Sequence, residues 1–291
     1  MDDNPPREKT TGNQKTMSAE LTKAMQLAEQ AGEILKKYHG TSFSVDYKRD
    51  EFDPVTIADR ESDDLLRKGI GKEFPNDEIL SEENPLQPSS YERRVWMVDP
   101  LDDTKGFVAG RDTPGVMIGL CEKSKPMLGV VYLPFRNEWY YAEAGKGAFR
   151  IKDGITEQLR VRRITDISEA ILAGRNMLQK DVRPLDAAVA GLGFKNAFPE
   201  ACFGGEIGLI AAGEADVAMQ TSTRAGKWDT LAAQAILTEA GGVMSDIDGK
   251  ALDYTKPDSH WNRYVIAAGT SELLQAILSK LKEVNKTAPK L

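Results

Sequence analysis

The segment Trp96–Phe107, WMVDPLDDTKGF, constrains this chain more than any other. An apolar run of strand character delivers Asp99. Pro100 follows and has no N–H to give to a ladder, so the strand is expected to stop there. Asp102, Asp103 and Thr104 come next. Three carboxylates within five positions repel one another. Such a run suits a solvated turn, a helix cap or the surroundings of a cation. A carboxylate that directly ends an apolar strand is an unusual place for a merely solvated charge. Oxygen-only ligands favour Mg²⁺, Mn²⁺ or Ca²⁺ over zinc.

Acids recur at other element junctions. Asp59 lies near a helix start after Val55-Thr56-Ile57, Glu82 and Glu83 follow a short apolar run, and Asp229 falls in the first turn of a helix. Singly, Asp59 and Asp229 read as caps and Glu82 as a surface acid. Four acidic junctions in one chain favour a shared polyvalent metal site. The only histidines, His39 and His260, sit in polar segments, so a histidine-based metal site or triad is not expected. Cys121 and Cys202 are too few for a disulfide framework and read as reduced, partly buried small residues.

Charge and ends narrow the class further. Lys+Arg total 38 against Asp+Glu 45, a net charge of −7, which argues against coating a nucleic-acid polymer. No apolar stretch reaches the roughly 18 residues of a membrane span. The first residues lack the apolar run of a signal peptide and the acid-free composition of a transit peptide, so a soluble, cytoplasmic protein is expected.

Periodicity predicts helices over 18–38, 56–72, 182–192 and 204–213, another beginning at Trp228, and a closing helix capped by Thr270 or Ser271. Strands are predicted around Phe43–Tyr47, before Glu82, before Asp99, over a hairpin from Gly115 to Pro134 with Pro126 in its turn, around Trp139, over 159–164, and at ADVAMQ and NRYVIAAG. A strand-rich first part and an alternating second part suggest a tail at 1–17, one lobe over 18–165 and a second over 166–291.

These fragments resemble the lithium-sensitive, magnesium-dependent phosphatases of the inositol monophosphatase superfamily. The signature W-x-x-D-P-[IL]-D-G-T-x-x-F is met by Trp96, Asp99, Pro100, Leu101, Asp102, Thr104 and Phe107. A second, W-D-x-A-[AG] followed by E-A-G-G, is met by Trp228, Asp229, Ala232, Glu239, Ala240, Gly241 and Gly242, with Leu231 where a small residue is expected. Ser81-Glu82-Glu83 and Val55 through Asp59 complete the pattern.

The resemblance implies an α+β fold, the layered αβαβα sandwich of the sugar phosphatases, usually dimeric. It implies two or three Mg²⁺ ions. Glu82, Asp99 and the Leu101 carbonyl would hold one, Asp99, Asp102 and Asp229 a second, and Glu82 would help with a third. Asp59 and Thr104, with Glu82 nearby, would activate the attacking water. The amides of Asp103 and Thr104 and the Thr104 hydroxyl would take phosphate oxygens of a small phosphorylated metabolite. Lithium inhibition is likewise implied.

Asp103 departs from the family's glycine. Its side chain could point away while its amide still serves phosphate, or it could add charge beside the site and leave a catalytically impaired phospholigand-binding module. Thr104-Lys105-Gly106-Phe107 is more like the 3'(2'),5'-bisphosphate nucleotidases than the inositol phosphatases. Gln220 replaces an inositol-contacting carboxylate, and Ala201-Cys202-Phe203 replaces glycine-serine-alanine. Arg224 and Lys227 could meet a second phosphate or lie on an exposed basic loop, and Lys105 could face substrate or solvent. The resulting expectation is a Mg²⁺-dependent nucleotidase releasing the 3'-phosphate of adenosine 3',5'-bisphosphate, with inositol monophosphatase as the alternative.

Overall fold

The structure is a computed structural model that describes residues 17–50, 53–174, 189, 191–199, 202–220, 225–256 and 264–287. Two helices open the chain, α1 (Ala19–Tyr38) and α2 (Ile57–Glu73), separated by a small antiparallel pair, β1 (Val45–Tyr47) and β2 (Pro54–Thr56). Ser18 caps α1 by accepting from the Leu21 amide, and Leu21, Ala24, Leu27, Ala28, Ala31 and Leu35 form its buried stripe. The spacing of that stripe follows the helical repeat.

A seven-stranded sheet follows, in the order β3 to β9. Its strands are β3 (Glu78–Ser81), β4 (Arg94–Asp102), β5 (Gly115–Glu122), β6 (Lys125–Leu133), β7 (Glu138–Glu143), β8 (Gly147–Lys152) and β9 (Ile155–Gln158). Only the β3–β4 pair is parallel. Side chains alternate between the two faces. Trp96 and Val98 pack with α1 and α2, whereas Val95 and Met97 face the middle of the molecule.

The second sheet has five strands in the order β11-β10-β12-β14-β13. They are β10 (Ile171–Ala173), β11 (Asn196–Phe198), β12 (Val217–Gln220), β13 (Val243–Asp246) and β14 (Val265–Ala268). Helices α4 (Phe203–Ala211) and α5 (Lys227–Glu239) fill the space between the sheets. α6 (Ser271–Thr287) covers the far face, where Leu273, Ile277 and Leu278 meet Ile266 and Leu172. The layers are therefore helix, sheet, helix, sheet, helix, an α+β sandwich.

One packing detail brings the layers close enough to share a site. Gly119 of β5 and Gly129 of β6 are cross-strand partners. A Cβ on Gly129 would lie 2.2 Å from the Ala232 carbonyl oxygen, and one on Gly119 would lie 2.9 Å from the Ala232 amide nitrogen. Neither glycine contributes the roughly 1.5–3 kcal/mol of a buried Val. Their absent side chains instead seat the α5 backbone directly on the sheet.

Four local expectations need correction or bounding. Pro100 does not stop β4. The ladder lapses over Pro100–Leu101, two residues facing one, and resumes at Asp102↔Gly115, so proline occupies a bulge. The β5–β6 turn is Lys123–Ser124, both at positive φ, while Pro126 lies in β6 beside a register shift. The strand placed at 159–164 is β9 at Ile155–Gln158. Residues 159–164 cross between the sheets as extended chain, with Leu159 N bonded to Ala148 O and Val161 N to Ala240 O. Most of the helix expected over 182–192 and His260 lie outside the described residues, as do residues 1–16 of the expected tail.

Candidate metal-centred active site

Parallel pairing of β3 with β4 sets the first two acids side by side. The Glu82 amide continues the ladder by donating to Val98 O at 3.2 Å, which places Glu82 beside Asp99 at the carboxyl ends of both strands. The bulge then turns the chain, and the Leu101 amide donates to Asp99 Oδ1 at 2.9 Å. Asp229 arrives from the opposite direction, in the first turn of α5 above the glycine seat. One carboxylate oxygen each of Glu82, Asp99 and Asp229 lies within 4.8 Å of the other two. Asp99 is buried, and the other two are partly buried.

This donor set fits a hard divalent cation, being all oxygen with no nitrogen or sulfur. The proton affinities say the same. Burial and then the charges of Glu82, Asp102 and Asp229 push the Asp99 carboxyl well above the usual carboxylate range. Asp229 is pushed well up by burial and then by Glu82 and Asp102. Like charges are held together out of water, and a cation among them would relieve both penalties.

Asp102, expected to be a ligand, stands next to this group rather than in it. Its Oδ2 accepts from the Cys202 thiol and from the Gly204 amide, each at 3.0 Å, at the start of α4. Burial nevertheless raises it to about 6 against those two hydrogen bonds, with Asp103 and Glu82 adding to the rise. The Leu101 carbonyl accepts from the Thr104 hydroxyl at 3.2 Å.

Asp59 and Thr104 do meet. Thr104 Oγ1 lies 3.1 Å from Asp59 Oδ1, so its single proton has two acceptors to choose between. The other Asp59 oxygen accepts from the Thr56 amide at 2.7 Å and the Thr56 hydroxyl at 2.6 Å, closing a capping box at the start of α2. Asp229 makes the corresponding half of such a cap at the start of α5, accepting from Gly226 N at 2.8 Å. Cap and site acid are thus one residue in both places, and the two readings of the sequence do not exclude each other. Burial raises Asp59 to about 6, against the pull of the Thr56 hydrogen bonds.

The Asp103 carboxylate turns away from the cluster. Its backbone is left-handed at φ 68°, ψ 52°, the conformation a glycine would adopt freely. Oδ1 accepts from the Gly106 amide at 3.0 Å, which caps α3 (Thr104–Val108), and Oδ2 accepts from the Thr113 hydroxyl at 2.7 Å. Arg111 Nη2 stands 3.4 Å from Oδ1. A Cβ on Gly106 would meet the Asp103 carboxylate at 1.8 Å, so the two positions are fitted to each other. Asp103→Gly loses a cap of about 1 kcal/mol and recovers a left-handed penalty of similar size. It should unfold within about 0.5 kcal/mol of the parent. Asp103→Ala keeps the penalty, loses the cap and should cost about 1 kcal/mol. Urea titration of the two variants checks the order, and equal midpoints would contradict it.

Four further residues were not singled out in the sequence as belonging to the site. Lys48, just after β1, has Nζ 2.8 Å from Glu82 Oε1 and 2.5 Å from Glu83 Oε1. Burial works against its charge, but Glu82 and Glu83 hold the ammonium above its ordinary range. Burial and Glu82 raise Glu83 to about 7, with Lys48 opposing. No spacing rule marks a single lysine in a polar turn. Cys202 had one signal, its position at a helix N-cap in place of a hydroxyl. Arg111 and Thr113 had none.

Of the expected substrate contacts, Lys105 is exposed on α3 and Gln220 ends β12, partly buried. Arg224 lies outside the described residues. Lys227 is fully buried, and its Nζ donates to Tyr254 O.

A profile of the inositol monophosphatase family matches residues 17–286. The chain belongs to the inositol monophosphatase family. It is 35% identical over 237 residues to a histidinol-phosphatase of Chlorobaculum parvum, covering 80% of this chain and 88% of that one. It is 32% identical over 253 residues to the 3'(2'),5'-bisphosphate nucleotidase CysQ of Escherichia coli K12, covering 83% and 96%. An IMPase from Thermotoga maritima shares the fold with a TM-score of 0.77 at 24% identity, over 93% of this chain and 99% of the other. The chain is accordingly a metal-dependent phosphomonoesterase of this family, with its acidic cluster at Glu82, Asp99 and Asp229. No helix among the described residues is long and apolar enough to cross a membrane.

Proposed function

We propose that this phosphatase releases the 3'-phosphate of adenosine 3',5'-bisphosphate. The reading rests above all on three carboxylates that converge from β3, β4 and α5 into one acidic cluster. Glu82, Asp99 and the Leu101 carbonyl would hold one Mg²⁺, and Asp99, Asp102 and Asp229 another. When bound, the cation supplies Lewis-acid stabilisation and a water acidic enough to ionise near neutral pH. Asp59 Oδ1 orients the Thr104 hydroxyl, whose oxygen then faces the attacking water and passes its proton toward the Asp59 carboxylate. The Asp103 and Thr104 amides receive phosphate oxygens. Lys105 and, further along, Gln220 and Arg224 contact the rest of the substrate.

The bisphosphate is favoured over inositol phosphate by Thr104-Lys105-Gly106 and by Gln220, which removes an acceptor charge from a hydroxyl-binding position. The CysQ relatives support the same choice. The similarity to a histidinol-phosphatase favours a second reading, histidinol phosphate. Against an impaired binding module stands the Asp103 carboxylate, bonded to Gly106 and Thr113.

Phosphate release from adenosine 3',5'-bisphosphate, inositol 1-phosphate and histidinol phosphate, with saturating Mg²⁺, tests the assignment. The bisphosphate should have the highest kcat/KM, and chelation should remove the activity. A higher value for either other substrate reverses the assignment. Binding without turnover of any of the three would restore the impaired module.

A further inference from the structure

Lys227 is placed against two costs at once. It opens α5, where a cation opposes the helix dipole, and it is fully buried. Burying an ammonium is unfavourable unless its donors are met. Here they are met by backbone. Nζ donates to Tyr254 O at 3.0 Å and to Lys256 O, and it lies 3.9 Å from the centroid of the Tyr91 ring. An aromatic face at that distance attracts a desolvated cation.

These partners come from three separate stretches of chain. Tyr91 lies in the connection that leaves Glu82 and Glu83 and enters β4. Tyr254 and Lys256 belong to the segment after β13, and that segment is bound back to α5 because the Tyr254 hydroxyl lies 2.8 Å from Gln234 Oε1 and 3.2 Å from Thr230 Oγ1. Asp229 is two positions past Lys227, and its carboxylate bonds the Gly226 amide on the other side of it. A lysine side chain therefore joins the β3–β4 connection that follows Glu82 to the first turn of α5 that carries Asp229, without entering the acidic cluster.

We propose that Lys227 is a positioning residue that fixes the spacing between Glu82 and Asp229 and thereby sets the affinity for divalent cation. The proposal rests on the reading of the cluster as a Mg²⁺ site. Outer groups that orient metal ligands are commonly worth 10–100-fold in metal affinity. Removing the ammonium should let the Tyr91 connection and the first turn of α5 drift independently, which widens the cluster.

Calorimetric titration of Mg²⁺ into chelator-treated protein tests this with no substrate present. The parent must first bind. If it does not, the metal-site reading fails and Lys227 has nothing to position. Given binding, Lys227→Met should weaken Mg²⁺ by at least about tenfold. An affinity within about twofold of the parent would overturn the proposal. Leu281→Ala, in the core under α6, serves as a control for lost stability and should leave the affinity unchanged. If it weakens Mg²⁺ as much as Lys227→Met, the effect is general loosening and the proposal falls. Should Lys227→Met fail to fold, Tyr91→Leu decides. Weaker Mg²⁺ binding supports the clamp, and parental affinity refutes it.

Discussion

Asp99→Asn should abolish Mg²⁺-dependent phosphate release and, in the same protein, raise the melting temperature measured in chelator. The two effects have one cause. Asp99 is the buried member of the cluster, and burial with the charges of Glu82, Asp102 and Asp229 opposes its ionisation. Asparagine keeps the oxygen that accepts from the Leu101 amide at 2.9 Å, so the bulge has no reason to move. It removes one of several mutually repelling charges, which stabilises the metal-free fold. It also removes the shared ligand on which both proposed ions depend. Loss of a preorganised electrostatic group of this kind typically costs at least about 10²–10³ in turnover, and loss of the metal itself should exceed that. Thermal melts with chelator and with Mg²⁺, beside a phosphate-release assay, read both effects. Near-parental turnover would remove Asp99 from the mechanism. A lower melting temperature in chelator would show that its charge is stabilised by something other than a cation.

The second large effect is a pH dependence that bound metal counteracts. Folding raises Asp59 and Asp102 from ordinary values near 3.8 to about 6, and Glu83 from 4.5 to about 7. Burial and the neighbouring acids push Asp99 and Asp229 well above the ordinary carboxylate range too. A carboxyl with a raised folded value binds its proton more tightly folded than unfolded. Its contribution is complete below the unfolded value and is lost as pH climbs through the folded one. Metal-free protein should therefore lose stability between about pH 5 and pH 8, when these groups are forced to ionise together. Bound Mg²⁺ competes with those protons, so the Mg²⁺-induced rise in Tm should be larger at pH 8 than at pH 5. Melts at both values, with and without Mg²⁺, give four numbers. A metal-free Tm that is flat or rising with pH, or an equal Mg²⁺ increment at both, would contradict the cluster electrostatics.

How much of this was legible depended on how locally each feature is encoded. Asp99 was legible because an apolar strand ending in an acid is a short-range pattern. Asp59 and Asp229 were legible as caps for the same reason, since a capping box closes within four residues. Features made by tertiary meeting were not. The alternation at 159–164 is real, but only Leu159 extends the β8–β9 ladder, to the Ala148 carbonyl; beyond it the partners are the Ala240 carbonyl and a paired Arg162–Asp216. Pro100 misled because a bulge absorbs a missing N–H that a regular ladder cannot. Lys227 could be read either as a second-phosphate contact or as part of an exposed basic loop because nothing near it in sequence announces Tyr91 and the Tyr254 carbonyl. Lys48 is silent for the same reason.

The paired glycines at 119 and 129 carry a consequence for how such a protein can fail. They hold no charge, touch no reactant and sit well inside each strand's hydrogen-bonded ladder. A methyl group there would act as a wedge, prising α5 off its bed and carrying Asp229 with it, while both sheets kept their own pairing. Folding and chemistry can thus be disconnected by one small apolar change at a position that bears no functional group, and inactivity in this architecture need not leave a mark among the residues that perform the reaction.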